Sequence, residues 1–298
     1  MGPAGSLTGV RIAVTGSTGT LGSQVVGLLA ASVGHDVVAL ARRPEAVAAG
    51  LGARVRGSGV VSAVYADYDD LSSLRAALVG VDVLVFVSGD GEAARMLVQH
   101  QNVVRAAVDA GVGHVVYLSG VDADVASPFC YAFTNGWTER LLEGSGLPFS
   151  FARASLFTEF FAAFLRPALV SGELRVPAGE GRVSLVSRSD VGRCLAALAL
   201  LPPSGRHHDL TGPASSTLET VAQVLSGIAG RPVRYTDVPP PTLAEELARA
   251  GEDPWWTYAY CSMFASIRED RWSEASQEVL RLTGRAPAAL DVVVRATA

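Results

Sequence analysis

The 298-residue chain is 49% hydrophobic and 18% charged, an ordinary globular composition with room for one large α/β core and a smaller lobe. Its net charge of −5 argues against a nucleic-acid partner, which needs a basic face, and no apolar run reaches the ~18–20 residues of a membrane span. Three widely spaced cysteines, Cys130, Cys194 and Cys261, fit a reducing cytoplasm better than a disulfide framework or a metal site.

The first residues show no basic, apolar and cleavage-site succession and read as a short disordered lead. Residues 10–15 then form an apolar strand that runs into Gly16, Gly19 and Gly22, and a helix over 20–32 follows. Strand, glycine turn and helix in that order make the first unit of a dinucleotide-binding fold. Gly16 lets the chain turn as it leaves the strand. Gly19 has no Cβ, so a pyrophosphate can approach the backbone, and Gly22 lets the helix pack close to the strand. The phosphates would sit on N–H groups around Thr18, Thr20 and Leu21, where the helix macrodipole favours negative charge. The spacing is G-x-x-G-x-x-G, that of the short-chain and extended dehydrogenases.

The alternation continues with a strand over 35–41, a short helix near 44–50, a Gly- and Ser-rich loop and a strand over 60–66. A helix over 70–79, a buried-type strand over 81–87, a longer helix over 93–110 and a fifth strand over 114–119 follow. Strands separated by helices of this length imply right-handed crossovers and a parallel sheet. Beyond Gly120 the pattern loosens into a helix over 131–144, a strand over 148–154 and an apolar helix over 157–170. Phe157, Phe160, Phe161 and Phe164 on that last helix read chiefly as core. A short β pair is expected within 173–187 and a helix over 189–201. Strands at 207–210 and 233–235 and helices at 218–229 and 242–250 then build the smaller lobe. The fold predicted is a Rossmann-type doubly wound parallel sheet with a smaller C-terminal α/β lobe. Residues 1–155 bind the nucleotide, and 156–298 bind substrate, with some elements returning to the first domain.

An open α/β sheet binds its ligand at the C-terminal ends of its strands, so the residues just beyond each strand are the candidates. Strand two ends without the Asp or Glu that would hold an NAD ribose, and Arg42 and Arg43 follow it. Their guanidinium forks suit a 2′-phosphate, or they form a solvated pair at a turn. Asp67, after strand three, either accepts from an adenine amino group or caps the next helix. Ser88 and Gly89 follow strand four, where a missing side chain admits the cofactor. Ser119 and Gly120 follow strand five, at the depth of a nicotinamide ring.

All 24 Lys+Arg residues are arginine. Mechanisms that need a lysine are thereby excluded, including Schiff bases, a Walker-type phosphate lysine and the Tyr-x-x-x-Lys pair of ordinary short-chain dehydrogenases. His207-His208 lacks partners at metal spacing, and adjacent strand residues face opposite ways, so no metal is expected. His100 reads as a surface or packing residue. Trp255, Trp256, Tyr258, Tyr260, Met263 and Phe264 follow Pro254 at spacing usual for core, or cover a flat apolar substrate.

Thr15-Gly16-Ser17-Thr18-Gly19-Thr20-Leu21-Gly22, Val115-Val116-Tyr117-Leu118-Ser119, and Thr138-Glu139-Arg140-Leu141-Leu142-Glu143-Gly144-Ser145-Gly146-Leu147-Pro148 followed by Arg153 resemble the NmrA-like atypical short-chain dehydrogenases, within them the quinone oxidoreductase 2 group. The segment Leu282-Thr283-Gly284-Arg285-Ala286-Pro287 fits as well. The resemblance covers nearly the whole chain. It implies a Rossmann domain, a small substrate lobe and NADP(H) more often than NAD(H).

Ser119 and Tyr131 stand near the superfamily's catalytic serine and tyrosine, but the position of its lysine, four residues beyond Tyr131, holds Asn135. That lysine lowers a tyrosine pKa from about 10 so that phenolate can act as a base. Reduction needs the protonated phenol instead. The chain is therefore expected to be a cytoplasmic NADPH-dependent oxidoreductase, monomeric or homodimeric, that reduces a quinone-like, enone or ketone substrate. Tyr131 is its candidate proton donor, or a packing residue without catalytic duty. The alternatives are a dinucleotide-sensing regulatory protein and a tailoring reductase or isomerase of secondary metabolism.

Overall fold

The computed structural model describes residues 9–32, 34–51 and 60–297. In chain order the first elements are β1 (Arg11–Val14), α1 (Thr20–Ala30), β2 (Asp36–Ala41), α2 (Pro44–Leu51), β3 (Val60–Tyr65), α3 (Leu71–Ala77), β4 (Val83–Phe86) and α4 (Ala93–Ala110). Then come β5 (His114–Gly120), α5 (Cys130–Ser145), β6 (Phe149–Ala154), α6 (Thr158–Ser171), β7 (Glu173–Val176), β8 (Arg182–Val183) and α7 (Arg188–Ala199). The remainder is β9 (His207–Leu210), β10 (Ser216–Thr217), α8 (Leu218–Ala229), β11 (Arg234–Asp237), α9 (Pro240–Arg249), α10 (Pro254–Arg268), α11 (Glu278–Thr283) and α12 (Leu290–Thr297).

Seven strands form a sheet in the order β3-β2-β1-β4-β5-β6-β9. Residue-by-residue register shows β3, β2, β1, β4 and β5 running parallel. Hydrogen bonds from Val115 to Pro148 and from Val121 to Ala154 advance together along β5 and β6, so that pair is parallel too. Strand order reverses between β1 and β4, the topological switch point where a doubly wound sheet opens a crevice for ligand.

The chain divides into two compact units. Met1–Ser119, Trp137–Ala152 and Val191–His208 make the first; Gly120–Gly136, Arg153–Asp190 and Asp209–Ala298 make the second. In the first unit, Leu84, Phe86, Val115 and Tyr117 bury one face of the sheet against Leu74 of α3 and Val103 and Val104 of α4. α4 shows why its sequence forms a helix. Met96, His100, Val103, Val104 and Ala107 recur at helical spacing along the buried stripe, and Gly111 ends it in the left-handed region at φ 68°. In the second unit, Phe161 and Leu165 of α6, Leu218 and Leu225 of α8 and Met263, Phe264 and Ile267 of α10 share one core.

Several expectations require correction. β7 and β8 do not pair with each other: β7 runs parallel with β11, and β8 antiparallel with β10. The turn around Gly179 is held instead by Asp237, whose Oδ1 accepts from the Gly179 N–H at 2.9 Å. β9 is the seventh strand of the main sheet and not part of a separate small sheet. The carbonyls of Arg206, just before β9, and of Leu210 at its end accept from β6 and its continuation, which turns the Asp209 carbonyl the opposite way. Ser276 meets it there, its hydroxyl donating to Asp209 O and its N–H to Thr211 Oγ1. Gly120–Gly136 groups with the second unit although it precedes residue 155.

His100 is a packing residue, 1% exposed. Its Nδ1 lies 2.7 Å from Thr138 Oγ1, its ring lies edge-on to Phe86 at 5.0 Å, and burial pushes its pKa down to about 4. His114 Nε2 lies 2.9 Å from Ser150 Oγ, and burial likewise pushes its pKa down to about 4. Both values lie below the ordinary ~6.5, so the unfolded chain takes up these protons first. Stability is therefore complete at neutral pH and declines as pH falls from about 6.5 towards 4. A displacement of this size is worth roughly 3 kcal/mol per histidine. Urea midpoints measured across that window should fall steadily, and His100→Gln should flatten part of the slope; a midpoint independent of pH there would contradict the neutral burial of these rings.

Candidate functional site

The turn after β1 is built almost wholly from backbone. Gly16 has φ 60°, a conformation that L side chains rarely adopt, and a Cβ there would lie 3.1 Å from the Val87 carbonyl oxygen. A Cβ on Gly22 would lie 2.2 Å from the Gly16 carbonyl oxygen. The first turn of α1 thus rests directly on the Gly16 peptide, a closer fit than packing of helix against strand. Gly19 differs from both. It is the N-cap of α1 with extended backbone, it provides no side-chain cap, and a Cβ there would meet only the Gly16 oxygen at 3.3 Å. Thr18, Gly19 and Thr20 are exposed, whereas the Leu21 side chain is buried, so Leu21 can offer a ligand only its N–H.

Side chains that the sequence reading passed over pin this turn. Thr15 Oγ1 accepts from the Val87 N–H at 2.9 Å and donates to the Val87 carbonyl at 3.0 Å. Ser17 Oγ donates to the Leu40 carbonyl at 2.8 Å, tying the turn to the end of β2. Tyr68 OH donates to the same Val87 carbonyl at 2.5 Å, and burial raises its pKa well above the usual phenol range. Their signal in the sequence was position alone, each standing just beyond a strand end.

Arg42 and Arg43 are both exposed beyond β2, and among the described residues neither forms an ion pair. The Arg42 guanidinium acts electrostatically on Tyr68 and Asp69, which places it beside the loop after β3. The Arg43 carbonyl accepts from the Ala46 N–H at 3.0 Å at the start of α2. Asp67 does not cap α3: Asp70 does, accepting from the Ser72 and Ser73 N–H groups at 2.9 and 3.2 Å. Asp67 Oδ1 instead accepts from the Asp69 N–H at 3.0 Å. The Ser88 hydroxyl is engaged with the buried Tyr117 phenol. A Cβ on Gly89 would meet nothing within 4 Å, so protein packing does not demand a glycine there. Ser119 is 4% exposed, and its Oγ has no hydrogen-bond partner among the described residues.

In the second unit, Gly120 and Asn135 are brought together: a Cβ on Gly120 would lie 3.0 Å from Asn135 Nδ2. Tyr131 lies at the start of α5, its ring edge-on to Phe129 at 5.6 Å and to Trp255 at 6.4 Å. The loop leading to it is anchored by Asp122, a carboxylate only 5% exposed. Asp122 Oδ2 accepts from Ser127 Oγ and Ser266 Oγ at 2.5 Å each, and Oδ1 meets Arg271 Nη1 at 3.3 Å. Ser266 in turn accepts from Trp272 Nε1 at 2.6 Å, and the Trp272 ring lies edge-on to Phe129. A chain of contacts therefore runs from a buried charge to the tyrosine.

The residues of the first unit fit a dinucleotide. The uncapped first turn of α1 presents its N–H groups at the switch point, beside a glycine that the protein's own packing constrains less than Gly16 or Gly22, with a guanidinium beyond the adjacent strand. Two glycine substitutions separate ligand from packing. Gly19→Val should abolish nucleotide binding by titration calorimetry while costing clearly less stability than the substitution at Gly22. Gly22→Ala should destabilise the fold at or above the upper end of the ~1–3 kcal/mol usual for overpacking. Equal effects of the two on stability would contradict the assignment.

A model of the NmrA-like family matches residues 8–267. Quinone oxidoreductase 2 of Escherichia coli (strain K12) is 32% identical over 242 residues, covering 80% of this chain and 82% of that protein. The NAD(P)H azoreductase of Xenophilus azovorans is 30% identical over 282 residues, covering 92% and 93% of the two chains. Among solved structures, the triphenylmethane reductase of Citrobacter sp. complexed with NADP(H) superposes with a TM-score of 0.86 at 29% identity, covering 97% of this chain and 100% of that one. Glycine turn, doubly wound sheet and these likenesses agree, and the chain belongs to the NmrA-like family.

Proposed function

We propose that this protein is an NADPH-dependent reductase of a flat, conjugated electrophile, quinone-like or an enone or ketone, with Tyr131 as its proton donor. The observation that carries the reading is the uncapped first turn of α1 at the switch point, with Arg42 standing beyond the neighbouring strand. Backbone N–H groups of Thr20, Leu21 and Gly22 hold the pyrophosphate, and Gly19 lets it approach. Arg42 binds the 2′-phosphate through charge-assisted hydrogen bonds, with Arg43 adding positive charge at longer range. When bound, NADPH supplies a hydride. Ser119 Oγ, buried and without a partner among the described residues, holds a polar group of the bound pair, and Gly120 leaves room for the Asn135 amide.

Tyr131 donates a proton to the substrate oxygen. No lysine stands in the chain to favour the phenolate, so the site is suited to reduction more than to alcohol oxidation. The related proteins are named for reduction of a quinone, an azo compound and a triphenylmethane dye. Each name denotes an extended π-system that accepts hydride readily, which supports the same substrate class here.

Two variants test the reading. Arg42→Ala should erase most of a several-fold or greater preference for NADPH over NADH, since a charge-assisted hydrogen bond contributes roughly 1.5–3 kcal/mol; equal affinity for both nucleotides in the parent protein would sink the assignment. Tyr131→Phe should lower turnover of a ketone by ~10²–10⁴-fold with NADPH affinity nearly unchanged, and should affect a quinone far less, because solvent can protonate the stabilised product. If NADPH binds tightly but no quinone, enone or ketone accelerates its oxidation, a dinucleotide-sensing role replaces the enzyme.

A further inference from the structure

Two indoles flank the Phe129–Tyr131 pair in the second unit, and their hydrogen bonding differs. Trp272 lies against Phe129, with ring centroids 5.6 Å apart, and its Nε1 donates to Ser266 Oγ at 2.6 Å. Trp255 lies against Tyr131, with centroids 6.4 Å apart and ring planes at 88°. Its Nε1 is buried and has no acceptor among the described residues. Leaving a buried donor unpaired is costly, and native structures carry few such groups. Its own helix offers no relief. The nearest carboxylate along the chain, Asp253, is engaged in capping α10, its Oδ1 accepting from the Trp255 backbone N–H at 2.8 Å.

The surroundings of this indole are those of a wall for a flat ring. Trp255 and Tyr131 meet at a right angle, so a planar molecule lying along one ring meets the other edge-on, an arrangement aromatic pairs favour. Tyr258 leans on Trp255 at 5.5 Å and is 52% exposed, which marks the open side. Further along α10, Tyr260 lies 26° from parallel to Phe160 at 6.0 Å, adding an aromatic pair between α6 and α10.

We infer that Trp255 Nε1 is a specificity-determining donor: it hydrogen-bonds a lone-pair acceptor on a flat conjugated substrate held in the corner between Trp255 and Tyr131. The inference rests on the reductase reading and narrows its substrate class. Tyr131 serves one oxygen and Trp255 a second, so ring systems with two carbonyl acceptors are preferred over those with one. No covalent step is involved; the indole keeps its proton throughout.

The test uses the full-length protein without nucleotide, so it does not depend on turnover. Two probes of similar shape, 2,3-dimethyl-1,4-naphthoquinone with two carbonyls and 1-tetralone with one, are compared by equilibrium dialysis. The substituted quinone carbons also block addition by Cys261, which is partly exposed. The parent should bind the dicarbonyl probe about tenfold or more tightly than the monocarbonyl one, within the span expected when a buried donor gains a partner. Trp255→Phe should erase that gap, leave the tetralone constant unchanged, and keep the melting temperature, since no internal hydrogen bond is lost. Trp272→Phe, which does lose one, should lower the melting temperature instead. Absence of binding, equal affinity of the parent for both probes, or a gap that survives Trp255→Phe would overturn the inference. A Trp255-dependent gap in a protein that shows no NADPH turnover would leave the subsite standing and remove the reductase reading. Turnover without such a gap would do the reverse.

Discussion

A carbonyl oxygen occupies the place where Gly22 would otherwise carry a methyl group, and the nucleotide half of the molecule depends on that fit. With 2.2 Å between the Gly16 oxygen and a Cβ at position 22, even alanine forces the helix to move. The axis of α1 is thereby set against the turn, and with it the direction in which the first-turn N–H groups point. Thr15, Ser17 and Tyr68 then fix the turn from behind by bonding to the main-chain carbonyls of Leu40 in β2 and of Val87 just beyond β4. Such a cradle needs no charged side chain to hold its shape, so its geometry is insensitive to pH and salt across a wide range.

The second unit uses a different device. There the chain buries a carboxylate, Asp122, and surrounds it with two hydroxyls and a guanidinium. Burying an isolated charge is expensive, and removing one partner of such a group costs more than the pair contributes. The network is therefore less a source of stability than a means of fixing one arrangement of the loop before α5. Arg271 reaches Asp122, Asp124 and Glu269 together, which holds the guanidinium in place while it is only partly buried. Through Ser266, Trp272 and Phe129 the same network reaches the ring of Tyr131.

The nucleotide half was legible in the sequence because its signals are local. Gly16, Gly19 and Gly22 lie within one turn, and the alternation of apolar strands with helices fixes a parallel sheet once the crossovers are right-handed. What escaped reading was non-local. β7 finds its partner in β11, about sixty residues away, and the expectation of a hairpin failed because a Gly-rich turn can equally be held by a side chain such as Asp237. Asp67 and Asp70 are both acidic and both near the start of α3; only hydrogen-bond geometry shows which one caps. Asp122 and Ser266 stand 144 positions apart, so their bond leaves no pattern in sequence. An indole without an acceptor is likewise invisible until its neighbours are placed.

The edge of the main sheet carries one more consequence. A terminal strand offers a row of unpaired carbonyl and N–H groups that another chain can join, the usual route to strand addition and fibrous aggregates. β9 is four residues long, and Ser276 ties down its outward Asp209 carbonyl and the Thr211 hydroxyl just beyond it. The chain thus folds its own later segment across the margin where an extended peptide would dock. Replacing that serine with alanine would remove the hydroxyl that covers the Asp209 carbonyl and leave that acceptor open to a strand from another chain.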